Sequence, residues 1–262
     1  MTETQVAAPS FLIRADGIRL AYRFSDGAGP LLVFLPGYRS DMEGGKAQAV
    51  FAHARARGQA CLLLDYSGCG SSGGRFEDGT LDIWRDDALA LIRQVWPEGG
   101  LIPIGSSMGG WLALLLALHM PRRVAGLIGI AAAPDFTDWG FTEPQKAALR
   151  RHGRIIEPSD YVGGGMVTTL AFWESGEANR LLGGDIPLDC PVRLLHGQAD
   201  DVVPWEIPLR LAAQLRSTDV QVSLVKDGDH RLSRDVDIAL LLGMVDGLLD
   251  RADDGEPLMP HA

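Results

Sequence analysis

The chain has 262 residues, of which 46% are hydrophobic, enough to bury one substantial core. A charged fraction of 22% excludes a disordered polymer. The net charge of −10, from 24 Lys and Arg against 34 Asp and Glu, argues against general binding to nucleic acids, because an acidic surface repels phosphates.

The cysteines and the first residues indicate a reduced, cytoplasmic protein. Cys61, Cys69 and Cys190 cannot all pair internally and have no metal-type spacing. The N-terminus lacks the basic and apolar parts of a secretory signal, and its Glu3 and lack of early arginine argue against a transit peptide. The longest apolar run, residues 111–118, is far shorter than the roughly 20 residues of a membrane span.

Strand and helix patterns alternate along most of the chain. Two β-like segments joined by Asp16-Gly17 predict an N-terminal hairpin. Apolar runs predict strands at residues 31–35, 61–64, 101–104, 124–131, 191–195 and 220–225. Helical patterns cover residues 46–57, 81–96, 108–118, 207–215 and 236–249. Strands that are apolar throughout indicate an α/β protein whose mostly parallel sheet is covered on both faces, as one domain over residues 1–262.

Residues 134–187 interrupt this alternation. The segment is rich in aromatic residues, including Phe136, Trp139 and Trp173, and contains a run of three glycines. We interpret it as an insertion of short helices that forms a small lid; the alternative is a structural excursion with its own small core. Residues 251–262 have little apolar periodicity and are expected to be a flexible tail.

The sharpest local motif is Gly105-Ser-Ser107-Met-Gly109, which matches G-x-S-x-G. It lies directly between a predicted buried strand and a predicted helix, where a sharp turn exposes its central residue. The two glycines remove side chains that would collide there. We therefore predict that Ser107 is a catalytic nucleophile; the alternative is an unreactive glycine-rich turn.

A serine nucleophile needs a base, and the chain has six histidines. His230 lies in the polar loop after the last predicted strand and follows Ser107 in chain order, so we predict it as the base. His196 ends a predicted buried strand and is a less favoured base; a hydrogen-bonded histidine at the strand end is the preferred interpretation of this residue. The remaining histidines, on predicted helices or in the tail, are expected to be packing or surface residues.

A carboxylate is expected to orient the base. Asp200 follows a buried strand in H-G-x-x-D-x-x-V-P and is the favoured candidate, with Asp201 as its surface neighbour and Asp135 as a further alternative. For the oxyanion, we predict the backbone N–H groups of Met108 and Tyr38. The alternative for the Pro36-Gly37 loop that precedes Tyr38 is a simple strand-ending turn.

Residues 68–73 literally match the nucleotide-binding pattern G-x-G-x-x-G. A dinucleotide site requires a helix that opens within these glycines, whereas here further turn residues intervene before the next helical pattern. We therefore reject a nucleotide role and predict neither cofactor nor metal.

With these residues placed, the chain resembles the α/β-hydrolase superfamily, and within it the group of mitochondrial palmitoyl-protein thioesterases and acyl-glucuronide esterases. The resemblance rests on six stretches: residues 36–38, 65–72, 105–111, 193–197, 200–205 and 229–231. It implies Ser107 as nucleophile, Asp200 as its acid partner and His230 as base. It is weakest in residues 134–187, and the mitochondrial location is not carried over because the N-terminus lacks a transit-like leader.

We expect a serine hydrolase that cleaves carboxylic esters or thioesters of small molecules or acylated proteins. Trp111, Phe136, Trp139 and Trp173 are candidate contacts for the acyl group, the alternative being that the last three merely anchor the lid. A non-catalytic ligand-binding protein of the same fold is the alternative function.

Overall fold

The computed structural model describes residues 8–158 and 165–253. Its strands are β1 Ser10–Ile13, β2 Arg19–Ser25, β3 Ala28–Leu35, β4 Gln59–Leu64, β5 Leu101–Ser106, β6 Leu127–Ile130, β7 Arg154–Glu157, β8 Met166–Thr169, β9 Val192–Gly197 and β10 Val220–Val225. Its α-helices are α1 Gly45–Arg57, α2 Leu81–Val95, α3 Met108–His119, α4 Phe136–Trp139, α5 Glu143–His152, α6 Leu170–Ala178, α7 Ile207–Gln214 and α8 Asp235–Asp253.

An eight-stranded sheet in the order β1-β2-β4-β3-β5-β6-β9-β10 forms the centre of the molecule. The six strands from β4 to β10 in this order pair in parallel, and the hairpin of β1 and β2 adds an antiparallel edge, as the sequence predicted. The parallel arrangement places the carboxyl ends of β3, β5, β9 and β10 at one edge of the sheet.

Both faces of the sheet are buried, which explains why its central strands are apolar throughout. In β3, Leu31, Val33 and Leu35 point into one core, whereas Leu32 and Phe34 point into the other. The first core lies under α2, α3 and α7 and continues into the segment between β6 and β9. The second lies under α1 and α8. The α/β prediction is therefore confirmed.

The segment between β6 and β9 contains more regular structure than the sequence indicated. It holds α4, α5 and α6, as expected for short helices, together with the antiparallel pair β7–β8 that the pattern did not predict. Each of these strands has only four residues and none of β7 is buried, so neither strand has the apolar run of a sheet core.

Helix α8 continues to Asp253, past the predicted start of the tail at residue 251, and residues 254–262 of that tail lie outside the described residues. Within residues 8–158 and 165–253, no helix combines the length and apolarity of a membrane span.

Candidate active site

Ser107 occupies a strained turn between β5 and α3. Its φ of 55° and ψ of −120° are unfavourable for a residue with a side chain. The glycines of the motif permit this turn, because a Cβ on Gly105 would lie 2.1 Å from the Gly109 carbonyl oxygen. A Cβ on Gly109 would lie 2.0 Å from the Leu35 carbonyl oxygen of the neighbouring strand.

Backbone hydrogen bonds fasten this turn to strand β6. The Ser107 N–H donates to the Ile130 carbonyl at 2.8 Å, and the Ser107 carbonyl accepts from the Ala133 N–H at 3.1 Å. The strand–turn–helix context predicted from G-x-S-x-G is therefore present, and the Ser107 side chain is partly exposed at the edge of the sheet.

His230 and Asp200 meet in the loops after β10 and β9. The His230 Nδ1 atom lies 2.8 Å from the Asp200 Oδ2 atom, with the Asp200 side chain fully buried and that of His230 24% exposed. The other carboxylate oxygen, Oδ1, accepts hydrogen bonds from the Val202 and Val203 N–H groups at 2.9 and 2.8 Å. These bonds fix the orientation of the carboxylate toward the imidazole.

Asp200 is held in its ionised form. Burial alone would raise its pKa, but hydrogen bonds from His196, His230 and the Val203 N–H outweigh burial and bring the pKa well below its ordinary value of 3.8. Since the carboxylate accepts from the imidazole, Nδ1 of His230 carries its proton and Nε2 is left as the basic nitrogen.

His196 is a second imidazole on the same carboxylate. Its side chain is fully buried, and its Nε2 atom lies 3.0 Å from the Val203 carbonyl oxygen and 3.4 Å from Asp200 Oδ2. Because a carbonyl oxygen only accepts, Nε2 carries the proton. Within the described residues Nδ1 has no partner. The sequence predicted a hydrogen-bonded strand-end histidine but not its contact with Asp200.

The loop after β3 lies against the Ser107 turn. A Cβ on Gly37 would lie 3.4 Å from Ser107 Cβ and 3.2 Å from the Ser106 carbonyl oxygen. In the part of the chain that the structure describes, neither the Tyr38 nor the Met108 backbone N–H donates a hydrogen bond. Both groups are thus available near the turn, where an oxyanion hole was predicted.

The weaker candidates from the sequence lie elsewhere. Asp135, in a left-handed conformation with φ of 59°, accepts the Leu181 and Leu182 N–H groups at 2.7 and 2.8 Å and so ties α4 to the chain after α6. Asp201 is exposed, and His53 pairs with Asp246 between α1 and α8. His261 is outside the described residues.

The aromatic candidates for substrate contacts differ in accessibility. Trp111 is fully buried, and its indole N–H donates to the Asn179 carbonyl at 3.1 Å. The indole groups of Trp139 and Trp173 donate to the Pro134 and Thr137 carbonyls, which favours the anchoring alternative for these two residues. Phe136 is partly exposed and packs into a ring cluster that includes Tyr38.

Sequence reasoning missed a cavity of 340 Å³ next to the Ser107 turn. Its polar lining includes Lys46, Ser106, Arg231 and Ser233. These residues belong to no sequence motif. Their positions, next to Ser107 and His230 and at the start of α1, are the only features of the sequence that could have indicated them as lining residues.

The glycine-rich loop at residues 68–73 has a structural role. Asp65, at the end of β4, accepts the Ser71 and Met42 N–H groups at 2.8 Å each, and burial raises the pKa of its carboxyl. A Cβ on Gly70 would lie 2.2 Å from the Asp65 Oδ2 atom. The loop thus wraps around a buried carboxylate, and no helix opens within it.

This fold and this arrangement of loops agree with comparisons with known proteins. The family model described as "Serine aminopeptidase, S33" matches residues 29–166. The chain belongs to the α/β-hydrolase family and is a hydrolase.

Among curated proteins, human "Palmitoyl-protein thioesterase ABHD10, mitochondrial" is 41% identical over 94% of this chain and 82% of its own length. The solved structure of mouse "Alpha/beta hydrolase domain-containing protein 10" is 40% identical and superimposes with a TM-score of 0.87, covering 94% of this chain and all of that one. A putative hydrolase from Agrobacterium vitis S4 is 38% identical, with a TM-score of 0.84 over 92% of this chain and 97% of its own.

The human relative is named as a mitochondrial protein. The cytoplasmic location expected for this chain thus gains no support from that relative and stays a prediction.

Proposed function

We propose that the chain is a serine hydrolase that cleaves carboxylic esters or thioesters through an acyl-enzyme intermediate. The observation that carries the proposal is the 2.8 Å hydrogen bond between His230 Nδ1 and the buried Asp200 carboxylate, in the loops that follow β10 and β9. These loops share the carboxyl edge of the sheet with the strained Ser107 turn. In a catalytic triad, the buried carboxylate accepts the proton on one ring nitrogen of the histidine in a hydrogen bond. The other ring nitrogen is then free to act as the base.

In this mechanism, Ser107 Oγ attacks the acyl carbon while His230 Nε2 takes the hydroxyl proton. Asp200 stabilises the imidazolium that forms. The backbone N–H groups of Tyr38 and Met108 donate to the developing oxyanion. His230 then gives the proton to the departing alcohol or thiol, and a water activated by the same imidazole releases the acid from Ser107.

We also propose that residues 134–187 act as a lid over a long acyl group. Two observations support this assignment. The relatives named above as palmitoyl-protein thioesterases act on a long acyl chain by that name. In addition, rings of this segment, Phe136 and Phe172, contact the Tyr38 ring next to the proposed oxyanion donor. The substrates are acyl esters or thioesters of small molecules or of proteins.

The test is labelling with a fluorophosphonate together with turnover of nitrophenyl octanoate. We expect Ser107→Ala to abolish labelling and to lower kcat/KM by about 10⁴-fold or more. Ser71→Ala is the matched control, because Ser71 is exposed and its hydroxyl makes no hydrogen bond in the described chain. Equal labelling of wild type and Ser107→Ala would remove Ser107 from its role. Tight binding of the ester without turnover by wild type would instead favour a binding protein.

A further inference from the structure

His196 connects the central sheet to the loop that carries Asp200, the proposed carboxylate partner of His230. It belongs to β9, which lies between β6 and β10, and it pairs with Leu224 of β10. Asp200 lies four positions further along, in the loop that follows β9. A residue within a sheet is held on both sides, whereas a loop residue depends on specific contacts for its order. His196 is therefore placed to pass the order of the sheet to the carboxylate.

A closed ring of contacts joins the His196 imidazole to the Asp200 carboxylate. The His196 Nε2–H group donates to the Val203 carbonyl oxygen at 3.0 Å, and the Val203 N–H donates to Asp200 Oδ1 at 2.8 Å. Asp200 Oδ2 lies 3.4 Å from the same Nε2 atom. The side chains of all three residues are buried. The imidazole thus acts on both carboxylate oxygens, on one through Val203 and on the other directly.

The Asp200 carboxylate needs such contacts because its side chain is fully buried. A buried charge is unfavourable unless hydrogen bonds or opposite charges compensate it. Burial raises the pKa of Asp200, and among titratable groups the hydrogen bonds from His196 and His230 lower it. Both imidazoles act on Oδ2, which lies 2.8 Å from His230 Nδ1. The orientation of this oxygen toward His230 therefore depends on what His196 contributes.

His196 is an unfavourable residue for packing alone at its position in β9. Its neighbours Leu194 and Leu195 are apolar and buried. In the part of the chain that the structure describes, His196 Nδ1 is buried without a hydrogen-bond partner, and such an atom costs roughly 1–3 kcal/mol. An apolar side chain would avoid this cost. The contacts of Nε2 with Val203 and Asp200 supply the reason for an imidazole here.

On these contacts, and resting on the proposed function, we propose that His196 is a positioning residue: it holds the Asp200 carboxylate in the orientation that the His230 imidazole requires. It acts through Asp200 and not on the substrate. Its working group is the Nε2–H, because this group contacts both the Val203 carbonyl and Oδ2. Loss of this donor should weaken the hydrogen bond between His230 and Asp200, and so lower the rate of proton transfer without changing how the substrate binds.

The experiment compares His196→Leu with His196→Gln in the turnover of nitrophenyl octanoate. Leucine removes the donor, whereas a glutamine amide carries an N–H group at nearly the reach of Nε2. We expect His196→Leu to lower kcat by roughly 10- to 100-fold while KM changes by less than about threefold. His196→Gln should restore kcat to within about fivefold of wild type.

His53→Leu is the matched control for the loss of a histidine bonded to a carboxylate. His53 Nε2 lies 2.6 Å from Asp246 Oδ1, and the two residues join helices α1 and α8 instead of the loops after β9 and β10. This variant should keep kcat within about twofold of wild type. A fall of kcat in His53→Leu as large as in His196→Leu would overturn the proposal, because any lost histidine–carboxylate contact would then have the same effect.

Proton NMR gives a readout that is independent of turnover. The His230 Nδ1–H proton, identified by its absence from His230→Ala, should resonate at low field because it is bonded to a carboxylate. His196→Leu should move this resonance to higher field or broaden it, and His196→Gln should return it. Should His196→Leu fail to fold, nitrogen NMR of wild type with labelled histidine must still find the His196 proton on Nε2; a proton on Nδ1 would overturn the proposal.

The outcomes separate this proposal from the function on which it rests. If Ser107→Ala abolishes turnover but His196→Leu keeps the kcat and the low-field resonance of wild type, the positioning proposal is wrong and the hydrolase proposal stands. The same holds if the leucine and glutamine variants lose kcat equally, because the loss would then reflect packing. If wild type neither hydrolyses the ester nor reacts with a fluorophosphonate, the hydrolase proposal is overturned, and the positioning role of His196 with it.

Discussion

Two unlike groups of side chains flank the loops around Ser107, one on each face of the sheet. The aromatic wall consists of Tyr38, Phe76, Trp84, Phe136 and Phe172, whose rings pack with centroids 5.0–6.2 Å apart. The polar wall consists of Lys46, Ser106, Arg231 and Ser233, which line the cavity. The aromatic wall is built from packed rings, whereas the polar wall depends on charged groups and loop hydrogen bonds.

The two groups of side chains depend on different forces. Apolar contact rewards every methylene of an acyl chain by roughly 0.8 kcal/mol and depends little on pH or salt. Interactions between charged groups are directional and are screened by salt. Changes to His230 and Asp200, which act on every substrate, should slow all substrates. A change confined to one wall should instead alter the relative rates for different substrates.

The largest effect is expected from the shared pair, His230 and Asp200. His230→Ala removes the proposed base and should lower kcat by about 10⁴-fold or more for every ester. Asp200→Asn leaves the shape but removes the charge that stabilises the imidazolium, so we expect a loss of roughly 10³–10⁴-fold. Steady-state kinetics on acetyl and octanoyl nitrophenyl esters measure both.

Asp201→Asn is the control for this pair, because its exposed carboxylate is the next residue in the chain. It should change kcat by less than about twofold. An Asp200→Asn enzyme with unchanged kcat, or an Asp201→Asn enzyme that loses as much as Asp200→Asn, would contradict the assignment of the carboxylate.

The central sheet and the Ser107 turn could be predicted because they depend on short-range rules. An apolar run that ends in G-x-S-x-G indicates a buried strand, a sharp turn and a helix. Parallel pairing then places the ends of β9 and β10 at the same edge. The pairing of His230 with Asp200 follows from this topology, although the residues are 30 positions apart.

The other parts could not be predicted because they depend on contacts between distant loops. The antiparallel pair β7–β8 has mostly half-exposed residues, so its sequence does not show the alternation of apolar and polar residues that predicts a strand. In the sequence, Lys46 has the pattern of an ordinary helix residue. Only the fold places it beside Arg231, 185 positions away. The contact of His196 with Asp200 spans only four positions, and this close spacing at a strand end could have indicated it.

A change confined to the aromatic wall should alter selectivity for the acyl chain. Phe136 contacts Tyr38, Trp111, Phe141 and Phe172 through its ring, and it is partly exposed. Phe136→Ala should lower kcat/KM for palmitoyl thioesters by roughly 10- to 150-fold, because it removes roughly 1.5–3 kcal/mol of apolar contact, and should leave acetyl thioesters nearly unchanged.

Phe11→Ala provides the control for this change, because Phe11 is 42% exposed on the edge strand β1. Thermal unfolding of both variants separates lost stability from lost selectivity. Equal slowing of acetyl and palmitoyl substrates by Phe136→Ala, with an unchanged melting temperature, would show that the aromatic wall does not bind the acyl chain.

The smallest expected effect is on stability rather than activity. The loss of stability should depend on pH for a change near the polar wall but not for a change in the aromatic wall. Asp237, buried in the first turn of α8, accepts two hydrogen bonds from the Arg234 guanidinium at 2.8 Å each, and Arg234 also donates to the Asp227 carbonyl. These bonds fasten the loop that carries His230 and Arg231. The bonds from Arg234 outweigh burial and hold the pKa of Asp237 below its ordinary value of 3.8.

Because the folded-state pKa is lowered, the ionised carboxylate stabilises the fold above about pH 4, and this stability is lost as the pH falls through the folded-state pKa. Asp237→Asn should therefore lower the free energy of unfolding by about 1–3 kcal/mol at pH 7, and by progressively less as the pH falls below about 4. Urea unfolding across this range measures the difference, and Asp235→Asn, an exposed change in the same helix turn, is the control.

Phe136→Ala should show a stability loss that is nearly constant with pH, because no titrating group is removed from the aromatic wall. A loss for Asp237→Asn that is equally independent of pH would mean that its ion pair with Arg234 does not support the polar wall.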